Sequence, residues 1–131
     1  MNTGPGELVD HVDAHDRVLG TVDRATAARR GLLHRVAGVV VLDARNRYLV
    51  HRRTGTATWF GGMYAALLGG AVRAGETYVA AAARETLEET GLDLPVRYCF
   101  KFLCRGEIGP YWFAVHEAVL PPGGRIAPRP G

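Results

Sequence analysis

The chain has 131 residues, 47% of them hydrophobic, with 16 Lys and Arg against 13 Asp and Glu, a net charge of +3 and a pI near 9.2. Length and apolar content suit one folded domain over residues 1–131; no apolar run reaches the roughly 18 residues of a membrane span, and residues 1–10 lack a signal peptide's charged start and apolar centre, so a cytoplasmic location is expected. The basic balance does not amount to a nucleic-acid surface, because it is almost entirely scattered arginine, Lys101 being the sole lysine, with no block of like charges.

Glu7 to Val12 and Val18 to Val22 alternate apolar and polar residues around Ala14-His15-Asp16-Arg17, which predicts a hairpin. Asp23 is placed to cap a short helix to about Arg30, ended by Gly31. Val36 to Leu42 is a continuous apolar run suited to a buried central strand, Asp43 to Asn46 reads as a turn, and Tyr48 to Arg52 returns. Thr54 to Gly62 is a loop rich in Gly and Thr that carries Trp59 and Phe60. Tyr64 to Val72 reads as a strand whose Gly69-Gly70 pair marks a close approach of backbone.

Thr77 to Gly91 has the punctuation of a helix, with Thr77 as N-cap and Gly91 at the left-handed C-terminal position. Val79, Ala83 and Leu87 recur at spacing four and predict its buried stripe. Glu85, Glu88 and Glu89 fall within five residues near its end and repel one another when ionised, which calls for a hard divalent cation with oxygen ligands. Arg84, four residues before Glu88, is placed to orient that cluster. Beyond the helix, Val96 to Leu103 and Tyr111 to Leu120 read as an antiparallel pair. Strand alternation would turn Cys99 and Cys104 to opposite faces and exclude a disulfide. No internal repeat is visible, and residues 121–131 form a tail too rich in Pro and Gly for a helix.

The run from Gly70 through Glu76, Arg84-Glu85 and Glu88-Glu89 to Gly91 resembles the Nudix box: Gly, five residues, Glu, seven residues, Arg-Glu, apolar, any, Glu-Glu, any, Gly, apolar. The position after Arg84-Glu85 departs from it, with Thr86 in place of an apolar residue. The resemblance implies an α+β fold of the α/β/α Nudix type, a mixed β-sheet with the box helix on one face. It implies a Mg²⁺-dependent hydrolase, with Mn²⁺ as a substitute, that cleaves a diphosphate bond in a nucleoside diphosphate derivative or related small molecule.

On this resemblance the metal ligands are Glu85, Glu88, Glu89 and the backbone carbonyl of Gly69, and the catalytic set is Glu89, Glu88 and Arg84. Glu89 is the leading metal-bridging or water-activating carboxylate. Gly70, Glu76 and Gly91 are structural in the motif, Glu76 through Arg84. Glu107, in the turn from Arg105 to Pro110, reads either as a further base or as a solvated loop residue. Specificity is expected from Arg52 and Arg53 on phosphate and from Trp59 and its neighbours Phe60 and Met63, with Tyr111, around the rest of the substrate.

The first half is similar to the branch that includes isopentenyl-diphosphate isomerase, through Asp10 to Gly20, Leu33-His34, Arg52-Arg53 and Trp59. That isomerase needs a cysteine at the glycine pair and a histidine two residues later, where this chain has Gly69, Gly70 and Ala71. Glycine and alanine supply neither acid nor base for proton transfer. His34 has a counterpart among the isomerase's metal-binding imidazoles. A non-catalytic nucleotide-binding or regulatory module is the alternative from another class. Nudix domains also carry a C-terminal element over the second sheet face; here the tail cannot form one, so that face is expected either to join a homodimer or to be shielded by the N-terminal hairpin and short helix.

Overall fold

The computed structural model describes residues 6–48, 51–52, 64–65, 67–106 and 109–122, with backbone alone for 51–52 and 64–65. The alternating N-terminal segment forms an antiparallel hairpin, β1 (Leu8–Val12) and β2 (Val18–Asp23), with a bulge at His11/Val12. Asp23 then caps α1 (Arg24–Arg30) by accepting from the amides of Ala25 and Thr26, and Gly31 ends it in the left-handed conformation.

β3 (Arg35–Leu42) lies inside a four-stranded sheet of order β6-β3-β8-β7, with β6 at Leu67–Ala71, β7 at Val96–Gly106 and β8 at Gly109–Val119. The β3–β8 pair is parallel and the others antiparallel, giving the mixed sheet expected. β4 (His51–Arg52) and β5 (Tyr64–Ala65) form a separate antiparallel pair. After Arg35, β3 is apolar because both its faces matter: Ala37, Val39 and Val41 join the core under the box helix α2 (Tyr78–Thr90), while Val36, Gly38 and Val40 alternate to the other face. No helix among the described residues is long and apolar enough to cross a membrane.

Two turns are built alike. In Asp13-Ala-His-Asp16-Arg17 and Asp43-Ala-Arg-Asn46-Arg47 the first Asp side chain accepts from two amides, those of His15 and Arg17 and of Arg45 and Arg47, and the fourth residue, Asp16 or Asn46, has a φ of 61°. The backbone closes both in the same way, Asp13 N to Arg17 O and Asp43 N to Arg47 O at 2.9 Å. Asp and Asn tolerate this left-handed conformation better than other side chains do. A five-residue pattern thus recurs where no repeat was visible in the sequence.

Two expectations fail. Val79 and Leu87 are 43% and 48% exposed, and the face of α2 toward the sheet is instead Ala81, Ala82, Glu85, Thr86 and Thr90. Small and polar residues succeed there because each threonine hydroxyl donates to the carbonyl four residues back, Thr86 to Ala82 and Thr90 to Thr86, both at 2.7 Å, leaving the methyl groups to pack. Thr86 is fully buried, so its departure from the box pattern still fills the core. The second failure concerns Cys99 and Cys104, which lie on the same sheet face. A bulge between Tyr98 and Phe100 resets the alternation, so Cys99 faces Glu117 while Cys104 faces Tyr111. Both thiols are free, five positions and about 16 Å apart along the strand.

The face away from α2 is covered unevenly. Val9, Ala27 and Ala71 form a second small core with Val22 and Leu32, so the hairpin and α1 shield it at the β6 edge. Toward β7, Phe100 and Phe102 remain exposed.

Candidate active site

The site is assembled at the junction of β6, the 72–76 loop and α2. Gly69 lies opposite Gly38 with φ of +140°, and a Cβ there would strike the carbonyl oxygen of Ala37, so only glycine lets β6 run this close to β3. β1 then clips the loop that follows: Val9 bridges Arg73, the Ala74 amide donates to Leu8 O, and the Gly75 amide donates to Asp10 Oδ2 at 3.1 Å.

Glu76 is the anchor of the loop. Its Oε1 accepts from the Arg73 amide at 3.0 Å, and its two oxygens take Arg84 Nε and Nη2, each at 2.9 Å. Burial raises its carboxyl, but these donors outweigh it and hold the group below the usual range; Glu76 in turn pushes the Arg84 guanidinium up. Arg84 Nη2 also donates to Ala71 O, tying the helix to β6. The expected partnership of Glu76 and Arg84 is therefore present, and Thr77 and Gly91 cap α2 as expected.

Arg84 spends its remaining nitrogen on the carboxylates: Nη1 lies 2.9 Å from Glu85 and 3.6 Å from Glu88. Glu88 also lies 3.9 Å from Arg73, whose Nε is 3.5 Å from Glu7. Glu85 is 1% exposed, and burial pushes its carboxyl up, with the Glu88 charge adding to the effect against Arg84. Its Oε2 is buried with no hydrogen-bond partner. Glu89 sits half-buried in the last turn of the same helix.

Among the described residues, no three carboxylate, imidazole or thiol side chains close into a cation cage. Arg84 stands between Glu85 and Glu88 instead. The donor set still fits a hard divalent cation, which takes oxygen ligands and can keep several waters rather than requiring an all-protein cage. The orphaned oxygen of Glu85 is the observation that carries the fit, since a buried carboxylate oxygen without a donor is costly until a cation meets it.

Of the substrate-side residues drawn from the sequence, only Tyr111 and His34 have described side chains. Arg52 is on β4, with only its backbone described; Arg53, Trp59, Phe60, Met63 and Glu107 lie outside the described residues. Tyr111 is half-buried on β8, 6.0 Å from the Phe113 ring and 6.2 Å from His34, and burial and Cys104 push its hydroxyl up to about 12. Burial lowers the His34 imidazole, whose Nδ1 has no partner.

A polar centre that the sequence did not disclose supports the site. Asp16, on the hairpin turn, accepts from Arg35 Nε at 2.7 Å, Lys101 Nζ at 2.7 Å and the Tyr78 hydroxyl at 2.9 Å. Lys101 lies over the Tyr78 and Trp112 rings, and the Trp112 indole donates to Asp13 O. The hub joins the hairpin, β3, the first turn of α2 and β7. The sole lysine falling on a strand was its one visible signal; the partners are 19 to 85 residues away in the chain.

A NUDIX domain family model matches residues 32–113. The chain is similar to an uncharacterized Nudix hydrolase of Streptomyces coelicolor, 42% identical over 94% of this chain and 68% of that one. A prenyl-diphosphate phosphatase of Methanosarcina mazei is 36% identical over 74% of this chain and 56% of its own, and an isopentenyl-diphosphate Delta-isomerase 2 of Photorhabdus laumondii is 32% identical over 74% and 55%. The chain thus spans about two thirds of the first relative and little more than half of the other two. Among solved structures, that of DR0079 from Deinococcus radiodurans superposes with a TM-score of 0.76 at 26% identity, over 93% of this chain and 77% of that one.

Proposed function

The chain belongs to the Nudix family, and from that premise we propose that it hydrolyses the diphosphate bond of a small-molecule diphosphate with the help of Mg²⁺ or Mn²⁺. The observation that carries this reading is the buried, unpartnered Oε2 of Glu85 beside Glu88 on one helix, gripped by Arg84. A helix that served packing alone would gain nothing from burying a carboxylate beside another.

Glu85, Glu88 and Glu89, with the carbonyl of Gly69, would hold the cation. When bound, it neutralises phosphate oxygens and lowers the pKa of water enough for attack near neutral pH. Arg84 orients Glu85 and Glu88 and is itself fixed by Glu76, so the carboxylates are placed before substrate arrives. Glu89 takes the proton of the attacking water as oxygen bonds to phosphorus and the phosphorus–oxygen bond to the leaving group breaks. Arg52, Arg53 and Trp59 act on the substrate side.

The Methanosarcina mazei relative, a prenyl-diphosphate phosphatase, supports a prenyl diphosphate as one substrate class, alongside nucleoside diphosphate derivatives. Isomerase chemistry is not part of the reading, because Gly69 and Ala71 put no acid or base on β6. Phosphate release from a panel of nucleotides and prenyl diphosphates, with and without Mg²⁺, tests the proposal. Metal-dependent release from one class supports it, and metal binding without release from any class overturns it in favour of a regulatory module.

A further inference from the structure

Five consecutive amides of the loop that leads into α2 all have acceptors, and β1 supplies two of these. The Val72 amide donates to Arg35 O, Arg73 to Glu76 Oε1, Ala74 to Leu8 O, Gly75 to Asp10 Oδ2 and Glu76 to Arg73 O, all between 2.9 and 3.1 Å. Asp10 is the one side chain from outside the loop in this set. It is 8% exposed, and a carboxylate taken out of water is costly unless donors replace the water. Arg35 serves Asp16 first, at 2.7 Å, and stays 3.9 Å from Asp10, so the Gly75 amide is the hydrogen bond that Asp10 makes among the described residues. The next residue, Glu76, fixes Arg84, which reaches Glu85 at 2.9 Å and Glu88 at 3.6 Å. β1 meets the same cluster by a second route, since Glu7 lies 3.5 Å from Arg73 and Arg73 lies 3.9 Å from Glu88.

From this chain of contacts we infer that Asp10 is a positioning residue of the hydrolytic site, setting the α2 carboxylates for the cation through Gly75, Glu76 and Arg84. The inference rests on the hydrolase reading and extends the site to a strand outside the residues that the family model matches. Gly75 gives the reason such a group is needed. It has a φ of +80°, and nothing stands within 4 Å of where its Cβ would be, so no side-chain packing restrains it. Without Asp10 its amide is free to turn, and Glu76, bonded to it in the chain, turns with it. Groups that orient metal ligands rather than bind the metal typically contribute about 10- to 100-fold in metal affinity or activity.

The test titrates the full chain with Mn²⁺ alone, reading free Mn²⁺ by its electron paramagnetic resonance signal, alongside Mg²⁺-dependent phosphate release from the nucleotide and prenyl diphosphate panel. Asp10→Ala should weaken Mn²⁺ binding about tenfold or more and lower kcat at saturating Mg²⁺ by a similar factor. Asp10→Asn keeps an acceptor oxygen for the Gly75 amide and should return both to within about threefold of wild type. Val12→Ala truncates a fully buried side chain on the same strand, at a residue whose amide pairs with Leu33 rather than with the loop. It should lower the urea midpoint and leave Mn²⁺ affinity unchanged, which separates positioning from general loosening. Should Asp10→Ala fail to fold, Asp10→Leu fills the space without an acceptor and should lose affinity alike. Wild-type Mn²⁺ affinity in the variant without an acceptor, an equal loss in Asp10→Asn, or an equal loss in Val12→Ala would each overturn the inference. Mn²⁺ binding that depends on Asp10, without phosphate release from any compound, would strike the hydrolase reading and leave the positioning role standing; phosphate release that Asp10→Ala keeps at wild-type rate and metal affinity would do the reverse.

Discussion

Arg84 holds Glu76 through two hydrogen bonds of 2.9 Å, Nε to Oε2 and Nη2 to Oε1, across eight residues of chain. The fork joins the loop before α2 to the middle of the helix and leaves Nη1 for Glu85. Glu76→Gln is expected to cost about 1.5–3 kcal/mol, the range for a hydrogen bond to a charged group. Arg84→Lys should cost as much or more, because an ammonium cannot make both bonds and also reach Ala71 O. Urea unfolding of the two variants checks this, and wild-type midpoints would refute it.

Neutralising the helix carboxylates should separate chemistry from folding. Glu88→Gln and Glu89→Gln are expected to unfold at near wild-type urea concentration while Mg²⁺-dependent phosphate release falls about 100-fold or more. Chelation should abolish the wild-type reaction and added Mn²⁺ restore it. Release that survives chelation would remove the metal from the reading.

Acid should destabilise the protein in two steps, the lower of them at the hairpin. Hydrogen bonds from Lys101, Arg35 and Tyr78 outweigh the effect of burial and hold the Asp16 carboxyl below its usual range. The unfolded chain therefore binds a proton before the folded one does, and this stability is fully present above about pH 4 and lost as pH falls through the lower folded value. His116 acts at higher pH: it is fully buried, its Nδ1–H donates to Gly38 O, and burial lowers its imidazole. Stability should thus already decline as pH falls below about 6.5, where the unfolded imidazole charges. Asp16→Asn should cost about 3–5 kcal/mol at pH 7 by stranding Arg35 and Lys101, and should flatten the step below pH 4 in denaturation measured across pH.

Thr86 offers a test of the corrected helix face. Thr86→Val keeps the shape and removes a hydroxyl that only reinforces Ala82 O, so stability should change by less than about 1 kcal/mol. Thr86→Asp places a charge in the core and should cost about 3 kcal/mol or more. Leu87→Ser, at an exposed position, should change stability by about 0.5 kcal/mol or less. Thermal or urea unfolding orders the three; a large loss in Leu87→Ser would restore the stripe drawn from periodicity.

That stripe failed for a reason visible in particular residues. Hydropathy ranks Val79 and Leu87 above Thr86 and Thr90, yet a threonine whose hydroxyl bonds back to its own helix presents a methyl face, while alanines bring the helix close to the sheet. Cys99 failed similarly, because a bulge changes which face a strand residue occupies and hydropathy carries no mark of it.

The local signals were sufficient wherever the deciding forces act within a few residues. Asp23 and Thr77 as caps, Gly31 and Gly91 as stops, the apolar run of β3 and the spacing from Gly70 to Gly91 all express backbone hydrogen bonding or helix period, and each is found in place. The box therefore disclosed the family from spacing alone. Only folding could bring Asp16 to Lys101, Asp10 to Gly75 and Phe113 onto Gly38, since those pairs are 85, 65 and 75 residues apart. Their attraction is set by burial and by how many donors converge on one group, and neither exists until the hairpin, the sheet and α2 have packed together.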